Sequence, residues 1–394
     1  MKFDVIVSGA GAAGFGAAMG AARLGKKVLL LDTNGAPGGT TVFGGCPVLT
    51  ANAPFDKMEP KGIFREFMEA LGERCHIAEG NITCNTSEMD ISLLMTRFLK
   101  AAGVTMLFYA TLIEAQTVSD RIRNITVFCC GKKHTFEADY FVDATGDAVL
   151  ADLAGCPTVT PDDLESMTKT LLFRVNGVTE FDKPKLKKLF SQLDFPYPWQ
   201  DNFMGTTVGS DGKDILINLS AVSGSALDPF DRTRMDMQLR EQVDVIFRWM
   251  REKLPGFENC RLSAVAPAIG VRSSRNILSR RQFTCQDLNG DTPIHDGIAY
   301  AKCFYGDHFV RSFKSPWGNF QTGLRPIPYG ALQAQNISNL LAAGRCIGIE
   351  PKAVTAIRLA PCCMTTGQVS GIACAMGIPE YKVLKQELLK QNIL

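Results

Sequence analysis

Residues 4–32 read DVIVSGAGAAGFGAAMGAARLGKKVLLLD, and this stretch decides the fold. Its pattern predicts an apolar strand, a turn that contains Gly9, Gly11 and Gly14, and a helix of small residues. A second apolar strand follows and ends at Asp32. Because strand, glycines, helix, strand and acid occur in this order, the stretch predicts the β-α-β unit that binds the pyrophosphate of a dinucleotide.

The residues of this unit have separate physical tasks. Gly9 permits the tight turn, Gly11 lets the backbone approach a pyrophosphate, and Gly14 lets the helix pack closely on the sheet. The helix N-terminus offers unpaired N–H groups to the phosphates, and Asp32 is placed to accept hydrogen bonds from a ribose diol. The contacts predicted for this unit are Gly9, Gly11, Ala13, Gly14, Asp32 and Thr33.

Three further glycine-containing segments indicate a larger cofactor. Residues 35–46 read GAPGGTTVFGGC, residues 140–147 read YFVDATGD, and residues 339–344 read NLLAAG. The last two each predict a strand that ends in a glycine turn, and a helix is predicted after them from about Ile357 to Ala375. One glycine loop covers only a pyrophosphate, so several segments converging on one ligand predict a large two-part cofactor, FAD.

On these segments the chain resembles the FAD-dependent oxidoreductases of the glutathione-reductase structural class. It is most similar to the broad family whose members carry an ATGD and an NLL-AGR segment. The resemblance implies an α/β fold, in which a Rossmann-like FAD-binding domain carries an inserted α+β substrate domain. It extends over nearly the whole chain and includes LPGFENCRL at 254–262, IGVRSSRNI at 269–277, the tract 296–308, IPYGAL at 327–332 and IRLAPCCMTTGQVSG at 357–371.

The resemblance also implies where the flavin lies. Asp147 is expected near the flavin or its ribityl-phosphate arm, and the turn after Gly344 is expected to close over the same arm. The helix that begins near Ile357 would point its positive end at the N1/C2 carbonyl side of the flavin. The other contacts so predicted are Gly39, Thr40, Gly44, Gly45, Leu112, Ala144, Thr145, Gly146, Arg345 and Arg358.

The length of the chain predicts more than one core. At 394 residues we expect two intertwined domains. The FAD-binding domain is predicted at 1–158 and 326–394, and the substrate domain at 159–325. Within the insertion, apolar residues at helical spacing predict a long helix, and Thr233 with Asp236 form its predicted cap.

Composition excludes several classes of function. Lys and Arg number 42 and Asp and Glu 40, so there is no basic field for nucleic acid. No apolar stretch reaches the ~20 residues of a membrane span. The 13 cysteines show no C-x-x-C spacing, and the 4 histidines are scattered, so no metal site is predicted. An odd number of cysteines without an export signal predicts reduced thiols and a cytoplasmic location.

Cys46 gives the sharpest chemical indication. In flavin disulfide reductases the glycine pair is followed by Thr, a first cysteine, four residues and a second cysteine against the flavin. Here Thr41 stands at the first cysteine and Cys46 at the second, which disfavours a dithiol cycle. A single thiol there is an acid, a nucleophile or a redox sensor if nearby positive charge lowers its pKa. The alternative is that Cys46 fills space under the ring.

Three residues in addition to Cys46 are catalytic candidates. Arg272 is a candidate because arginine forks hold carboxylates and phosphates. His308 is a candidate proton donor or acceptor near neutral pH, and Lys352 follows the position at which the family tends to place a histidine. Pro351 occupies that histidine position, and Ser273 stands where the family tends to have Glu, which weakens transfer of a family active site.

Together these features predict an FAD-dependent dehydrogenase or reductase that transfers a hydride between a small organic substrate and flavin N5. Reduction of an activated double bond and oxidation of an alcohol or amine both stay open. No second glycine fingerprint for a nicotinamide cofactor is present. The alternative is an electron-relay subunit whose FAD serves a partner protein. A sealed flavin face favours the enzyme, and an exposed flavin edge favours the relay.

Overall fold

A computed structural model describes residues 1–49, 61–72, 75–78, 81–84, 86–162, 166–197, 204–208, 213–302 and 323–394. Its helices are α1 (Ala12–Arg23), α2 (Gly62–Ala70), α3 (Glu88–Ala101), α4 (Val149–Leu153), α5 (Lys183–Phe190), α6 (Pro229–Lys253), α7 (Cys285–Asn289), α8 (Ala360–Ala375) and α9 (Tyr381–Lys390). Short 3-10 turns include Gly39–Thr41, Tyr329–Ala331, Gly344–Cys346 and Pro351–Ala356.

The strands are β1 (Lys2–Ser8), β2 (Val28–Leu31), β3 (Cys75–Ala78), β4 (Asn81–Cys84), β5 (Thr105–Leu107), β6 (Thr111–Val118), β7 (Arg121–Cys129), β8 (Lys132–Asp143) and β9 (Thr158–Val159). They continue with β10 (Phe173–Asn176), β11 (Gly205–Val208), β12 (Asp214–Ile217), β13 (Arg261–Val265), β14 (Asn276–Ile277), β15 (Gly297–Lys302), β16 (Leu324–Pro328) and β17 (Leu340–Ala342).

The largest sheet has seven strands in the order β5-β2-β1-β8-β7-β6, with β17 also paired to β8. Strands β5, β2, β1, β8 and β17 run parallel, whereas β6 and β7 form an antiparallel ribbon on β8. Residues of β1 and β2 are almost fully buried, which explains their nearly continuous apolar sequence. The predicted mixed α/β fold with a parallel sheet is confirmed.

Strand β8 exchanges partners along its length. Its first half pairs with β7, and its last residues pair with β17 on the same side. The buried Asn339 fills the fork: its side-chain oxygen accepts from Ile122 N at 2.9 Å, and its side-chain nitrogen donates to the Ile122 and Asp139 carbonyls at 3.0 and 3.1 Å. The amide of Asn339 thus replaces the strand neighbour that the backbone lacks at this point.

The register of the parallel strands brings their carboxyl ends to one edge. Ser8 pairs with Leu31 of β2 and with Asp143 of β8, and Asp143 pairs with Ala342 of β17. The loops that follow these strands contain the four glycine segments of the sequence. In a parallel α/β sheet this edge is where ligands bind.

Helices α1 and α8 cross at backbone contact. A Cβ added to Gly16 or Gly20 of α1 would overlap the carbonyl oxygens of Met364 and Gln368. In the other direction, a Cβ on Gly367 or Gly371 of α8 would overlap the carbonyl oxygens of Ala13 and Ala17, respectively. The residue numbers of these contacting pairs increase in the same direction along both helices. The two helices therefore run parallel, and their N-termini lie at the same end.

The second core is built on the antiparallel sheet β11-β12-β10-β13. Helix α6 covers it through buried residues such as Leu239, Val243 and Ile246. The predicted cap at Thr233 and Asp236 is wrong. The helix begins at Pro229, where the Asp228 carboxylate accepts from Asp231 N at 2.7 Å. Thr233 lies inside the first turns and donates to the Pro229 carbonyl, and Asp236 pairs with Arg240.

The two cores divide the chain unevenly. The second core takes its buried residues from Leu171 to Ile269. Residues 277–301, assigned by the sequence to the insertion, contribute buried side chains to the first core, and β14 pairs there with β9. The boundaries 1–158, 159–325 and 326–394 stay a prediction. In the part of the chain that the structure describes, no helix is long and apolar enough to cross a membrane.

We expect Gly371→Ala to lower the free energy of unfolding by about 3 kcal/mol, at the upper end of overpacking costs, because the new methyl group overlaps the Ala17 carbonyl. Gly25→Ala is the matched control. Gly25 has a φ of 74° and open space around it, so that variant loses only about 1 kcal/mol for its left-handed backbone. Chemical denaturation measures both values, and equal losses would contradict close packing at the crossing.

Candidate functional site

A cleft of about 630 Å³ opens at the carboxyl edge of the parallel strands, between the two cores. The loops after β1, β2, β8 and β17 form one wall, and the other is formed by Thr170 and Leu172, which precede β10, together with the tract 268–272. Of the predicted cofactor contacts, those on the wall are Gly9, Gly11, Ala13, Asp32, Thr33, Gly39, Thr40, Gly44, Leu112, Ala144, Thr145, Gly146, Asp147, Arg345 and Arg358.

Four predicted contacts lie behind this wall. A Cβ on Gly14 would overlap the Gly9 carbonyl, and Gly45 packs against Ala266 and Leu172 of the second core. A Cβ on Gly344 would lie 2.8 Å from the Ala13 Cβ, and Ile357 is fully buried. These residues shape the cleft by close packing, while their neighbours face it.

Two glycine backbones face each other at the start of α1. Gly11 is the N-cap of α1, no side chain caps the helix, and its first turn carries no acidic residue. Gly38 N donates to the Ala10 carbonyl at 2.8 Å, which holds the second glycine loop against the first. A Cβ on Gly11 would lie 3.7 Å from the Gly39 Cα, an ordinary contact, so the space beyond Gly11 is the cleft itself.

Asp32 has a structural task that the sequence did not indicate. Its Oδ2 accepts from Ala10 N at 2.6 Å, and its Oδ1 accepts from the backbone and side-chain nitrogens of Asn34 at 2.8 and 2.9 Å. The carboxylate therefore fixes the glycine turn. Each carboxylate oxygen has two lone pairs, so Oδ2 keeps capacity for a ribose hydroxyl.

Asp147 belongs to a charged cluster at the loop after β8. Arg345 donates to its Oδ1 at 2.7 Å and to Ser274 Oγ at 2.6 Å, and Ser274 donates to the same carboxylate at 2.5 Å. Burial opposes ionisation of Asp147, but the Arg345 charge and these hydrogen bonds outweigh it and hold the pKa of Asp147 below its usual value. Asp147 is therefore a carboxylate across the neutral range.

Cys46 lies half-buried on the cleft wall and packs against the second core. Burial raises the pKa of its thiol above the ordinary 9.0. A hydrogen bond from the Val48 backbone and the positive charges of Arg272 and Arg358 act in the opposite direction, but they do not outweigh burial. The expected lowering of the pKa by positive charge is thus reversed, and Cys46 is a protonated thiol at neutral pH.

The two arginines near Cys46 come from different parts of the chain. Arg272 is 8% exposed, and its guanidinium donates to the Thr168 carbonyl at 2.8 Å and to Asn218 Oδ1 at 3.2 Å. Arg358 precedes α8, which begins at Ala360 and not near Ile357 as predicted. The 3-10 turn Pro351–Ala356 precedes the helix, which therefore begins three residues later than predicted. Arg358 lies between the turn and the helix and faces the cleft.

Of the other two catalytic candidates, the structure describes only Lys352, and it is not brought to this place. Lys352 lies half-buried in the 3-10 turn and does not line the cleft. His308 lies outside the described residues. Sequence reasoning missed several wall residues, among them Ser8, Thr170, Asn218 and Arg232. No motif marks Thr170 or Asn218, because only the pairing of β10 with β12 brings them to the wall.

Comparison with known proteins assigns the family. A model described as FAD dependent oxidoreductase matches residues 4–388. The chain belongs to this family of flavoenzymes, and its cofactor is FAD. No match is found among curated proteins.

Several solved structures share the fold. The chain is similar to CabE, an aromatic hydroxylase from angucycline biosynthesis (14% identity, TM-score 0.53, covering 100% of this chain and 68% of that one). It is also similar to the anhydrotetracycline hydroxylase OxyS of Streptomyces rimosus (12%, 0.53, 99% and 66%) and to the p-nitrophenol 4-monooxygenase PnpA of Pseudomonas putida DLL-E4 (10%, 0.52, 100% and 84%). The chain spans about two thirds of the length of the first two, and at these identities the similarity is one of fold.

The cleft has the features that FAD requires. The uncapped start of α1 and the bare backbones at Gly11 and Gly39 leave room and N–H donors for a pyrophosphate. Ser8 Oγ is buried on the cleft wall and makes no hydrogen bond within the described chain, so it can accept one from or donate one to a ligand there. Asp32 at the end of β2 is in reach of the same space.

We expect Gly11→Val to abolish FAD binding while the protein stays folded, because the new side chain fills the cleft and meets only an ordinary contact at Gly39. Gly14→Ala is the contrasting variant: its methyl group overlaps the Gly9 carbonyl, so the fold itself is lost or strongly destabilised. Flavin absorbance and circular dichroism of both variants separate these outcomes. Full FAD occupancy in Gly11→Val would show that the pyrophosphate lies elsewhere.

We expect the alkylation rate of Cys46 by iodoacetamide to reach half of its maximum only above pH 9, because burial raises the pKa of the thiol above the ordinary 9.0 and the rate follows the thiolate fraction. Arg358→Gln should move the midpoint further up, since the Arg358 charge favours the thiolate. Peptide mass spectrometry, with Cys46→Ser as the blank, assigns the modified residue. A midpoint below pH 8.5 would sink this assignment.

Proposed function

We propose that the protein is an FAD-dependent dehydrogenase or reductase that transfers a hydride between a small organic substrate and flavin N5. The observation that carries this proposal is the construction of the cleft, whose cofactor loops face a second wall from the other core. The second wall presents a buried guanidinium, Arg272, and the loop after β2 presents a thiol, Cys46, which packs against the second core. Such a wall supports chemistry on a bound small molecule.

The residues of this chain hold the cofactor and leave one side for a substrate. FAD, when bound, supplies the hydride donor or acceptor. The loops at Gly11 and Gly39 would hold its pyrophosphate, and Asp32 its ribose. The ion pair of Asp147 with Arg345 would fix the loop over the flavin arm, because its hydrogen bonds join the first core to Ser274. Contact of these residues with FAD stays a proposal.

Cys46 favours the reducing direction. Reduction of an activated double bond needs one proton for the carbon that does not receive the hydride. A buried thiol whose pKa is raised holds such a proton at neutral pH, whereas removal of a proton from an alcohol or amine needs a base. We therefore place Cys46 as the proton donor to the substrate, with solvent returning the proton afterwards.

The enclosure of the cleft supports an enzyme over an electron relay. Thr170 and Leu172 of the second core lie on the wall opposite the cofactor loops, and both are buried. A relay to a partner protein needs a flavin edge open to that partner, whereas a wall of this kind excludes water from a small bound substrate.

Anaerobic flavin absorbance tests the proposal. The bound FAD is photoreduced and mixed with a panel of activated alkenes, and the oxidised enzyme is mixed with alcohols and amines. We expect an alkene to reoxidise the flavin, and Cys46→Ser to slow that step about a hundredfold without loss of FAD. Cys130→Ser, at an exposed cysteine outside the cleft, should leave the rate unchanged.

Three results would contradict the proposal. Full turnover in Cys46→Ser would make this cysteine a packing residue. Reduction by alcohols or amines alone would reverse the direction. Dioxygen uptake coupled to the substrate would place the protein with hydroxylases such as those that share its fold.

A further inference from the structure

We propose that Cys129 and Cys130 form a dithiol site that captures monosubstituted trivalent arsenicals, in which one arsenic atom binds two sulfurs. The two residues lie where β7 ends, at the tip of the hairpin that β7 forms with β8. Their sulfur atoms are 3.7 Å apart. Neither is among the described residues that line the cleft, so this inference is independent of the proposed function.

The two sulfurs meet at a tight hairpin turn. Cys129 pairs with Lys132, so the strands are connected by Cys130 and Gly131 alone. Both connecting residues have a positive φ, 50° and 78°, as a type I′ turn requires. Asn and Gly are the usual residues at such positions, because most side chains strain a left-handed backbone. The requirements of the turn therefore do not explain a cysteine at position 130.

The two thiols differ in access to solvent. Cys130 is exposed, whereas Cys129 is buried and its Sγ lies 3.7 Å from the Phe108 carbonyl oxygen. A reagent in solution therefore reaches Cys130 first. The second bond then forms with a thiol that is already held beside the first, so this step has the advantage of a high effective concentration.

The distance between the sulfurs suits a bridging atom better than a direct bond. Two sulfurs that bind one centre at about 2.3 Å each, with a near-tetrahedral angle, lie about 3.8 Å apart. The observed 3.7 Å matches this value. A disulfide usually needs Cα atoms at least about 4.4 Å apart, whereas adjacent Cα atoms across a trans peptide are about 3.8 Å apart. The pair is thus arranged to hold one atom between its sulfurs.

The number of ligands favours arsenic over a metal ion. Within the described residues, no group of three or more His, Cys, Asp or Glu side chains could hold a metal ion. A structural zinc site takes four protein ligands. A monosubstituted arsenical carries one organic group on arsenic and needs only two thiols to complete its three bonds.

Protonation of the thiols favours the same class of ligand. Burial, the contact with Cys130 and the charge of Cys130 raise the pKa of Cys129 above the ordinary 9.0. A divalent metal ion must displace the thiol protons, which a raised pKa opposes. An arsenical R–As=O instead forms two As–S bonds while its oxygen leaves as water with both thiol protons. Arsenic stays trivalent, and no proton is released to the solvent.

A second adjacent pair in the chain provides an internal comparison. Cys362 and Cys363 lie in α8, where they are 2% and 8% exposed. Adjacent side chains of a helix do not face each other. The same spacing in the sequence therefore gives no accessible dithiol there, and we expect no capture by this pair.

The probe is phenylarsine oxide, added to the holoenzyme after its thiols have been reduced. We expect one phenylarsenic group on the peptide that contains Cys129 and Cys130, assigned by mass spectrometry. A dithiol such as 2,3-dimercaptopropanol should remove this group, and an equal concentration of thiol as 2-mercaptoethanol should not. Cys130→Ser should weaken capture at least about 100-fold, because the second bond of the chelate is lost.

Two controls separate the site from other thiols and from loss of fold. Cys362→Ala removes one member of the helical pair and should leave capture unchanged. The side chain of Cys130 is exposed, so Cys130→Ser should keep the FAD content and circular dichroism of the parent protein.

Three outcomes would overturn the proposal. One is an adduct that lies only on other peptides, or no adduct at all. Another is undiminished capture by Cys130→Ser, which would show that one thiol suffices. The third is Zn²⁺ binding as tight as that of the arsenical and lost in Cys130→Ser, which would assign the pair to a metal ion.

Discussion

The crossing of α1 and α8 is the contact on which the site depends. Glycines on each helix admit the carbonyls of the other, so the two backbones touch without intervening side chains. Because the helices run parallel, their uncapped N-termini end at the same cleft, at Ala12 and Ala360. Two positive helix ends and the strand edge therefore meet in one place, which is the electrostatic basis of an anion-binding cofactor site.

The charged side chains of the cleft make different contacts. Asp147 and Arg345 pair with each other, and both are hydrogen-bonded to Ser274. Asp32 accepts hydrogen bonds from the turn after β1 and from Asn34. The charges of Arg272 and Arg358 each favour ionisation of the Cys46 thiol. Burial outweighs these charges and raises the pKa of the thiol, so Cys46 keeps its proton at neutral pH.

The fingerprint at Gly9, Gly11 and Asp32 correctly predicted the first strand, the turn after it and the end of the second strand at Asp32. These residues lie within one local β-α-β unit, so their structure depends on nearby sequence. The predicted start of α8 was three residues too early, because the chain forms a 3-10 turn before the helix and the sequence does not distinguish this turn from the helix itself. Asn218 was not predicted, because its place on the wall depends on strand pairing between distant segments. The pKa of Cys46 depends on burial, which spacing in a sequence does not reveal.

The glycine crossing also sets an order of events in folding. It joins residues 16 and 20 to residues 364 and 368, so the contact closes almost the whole length of the chain. Contacts of such high sequence separation form late, since the entropy of the intervening loop is lost before they stabilise anything. During synthesis, the N-terminal fingerprint must wait for nearly the entire polypeptide before its cofactor site is complete.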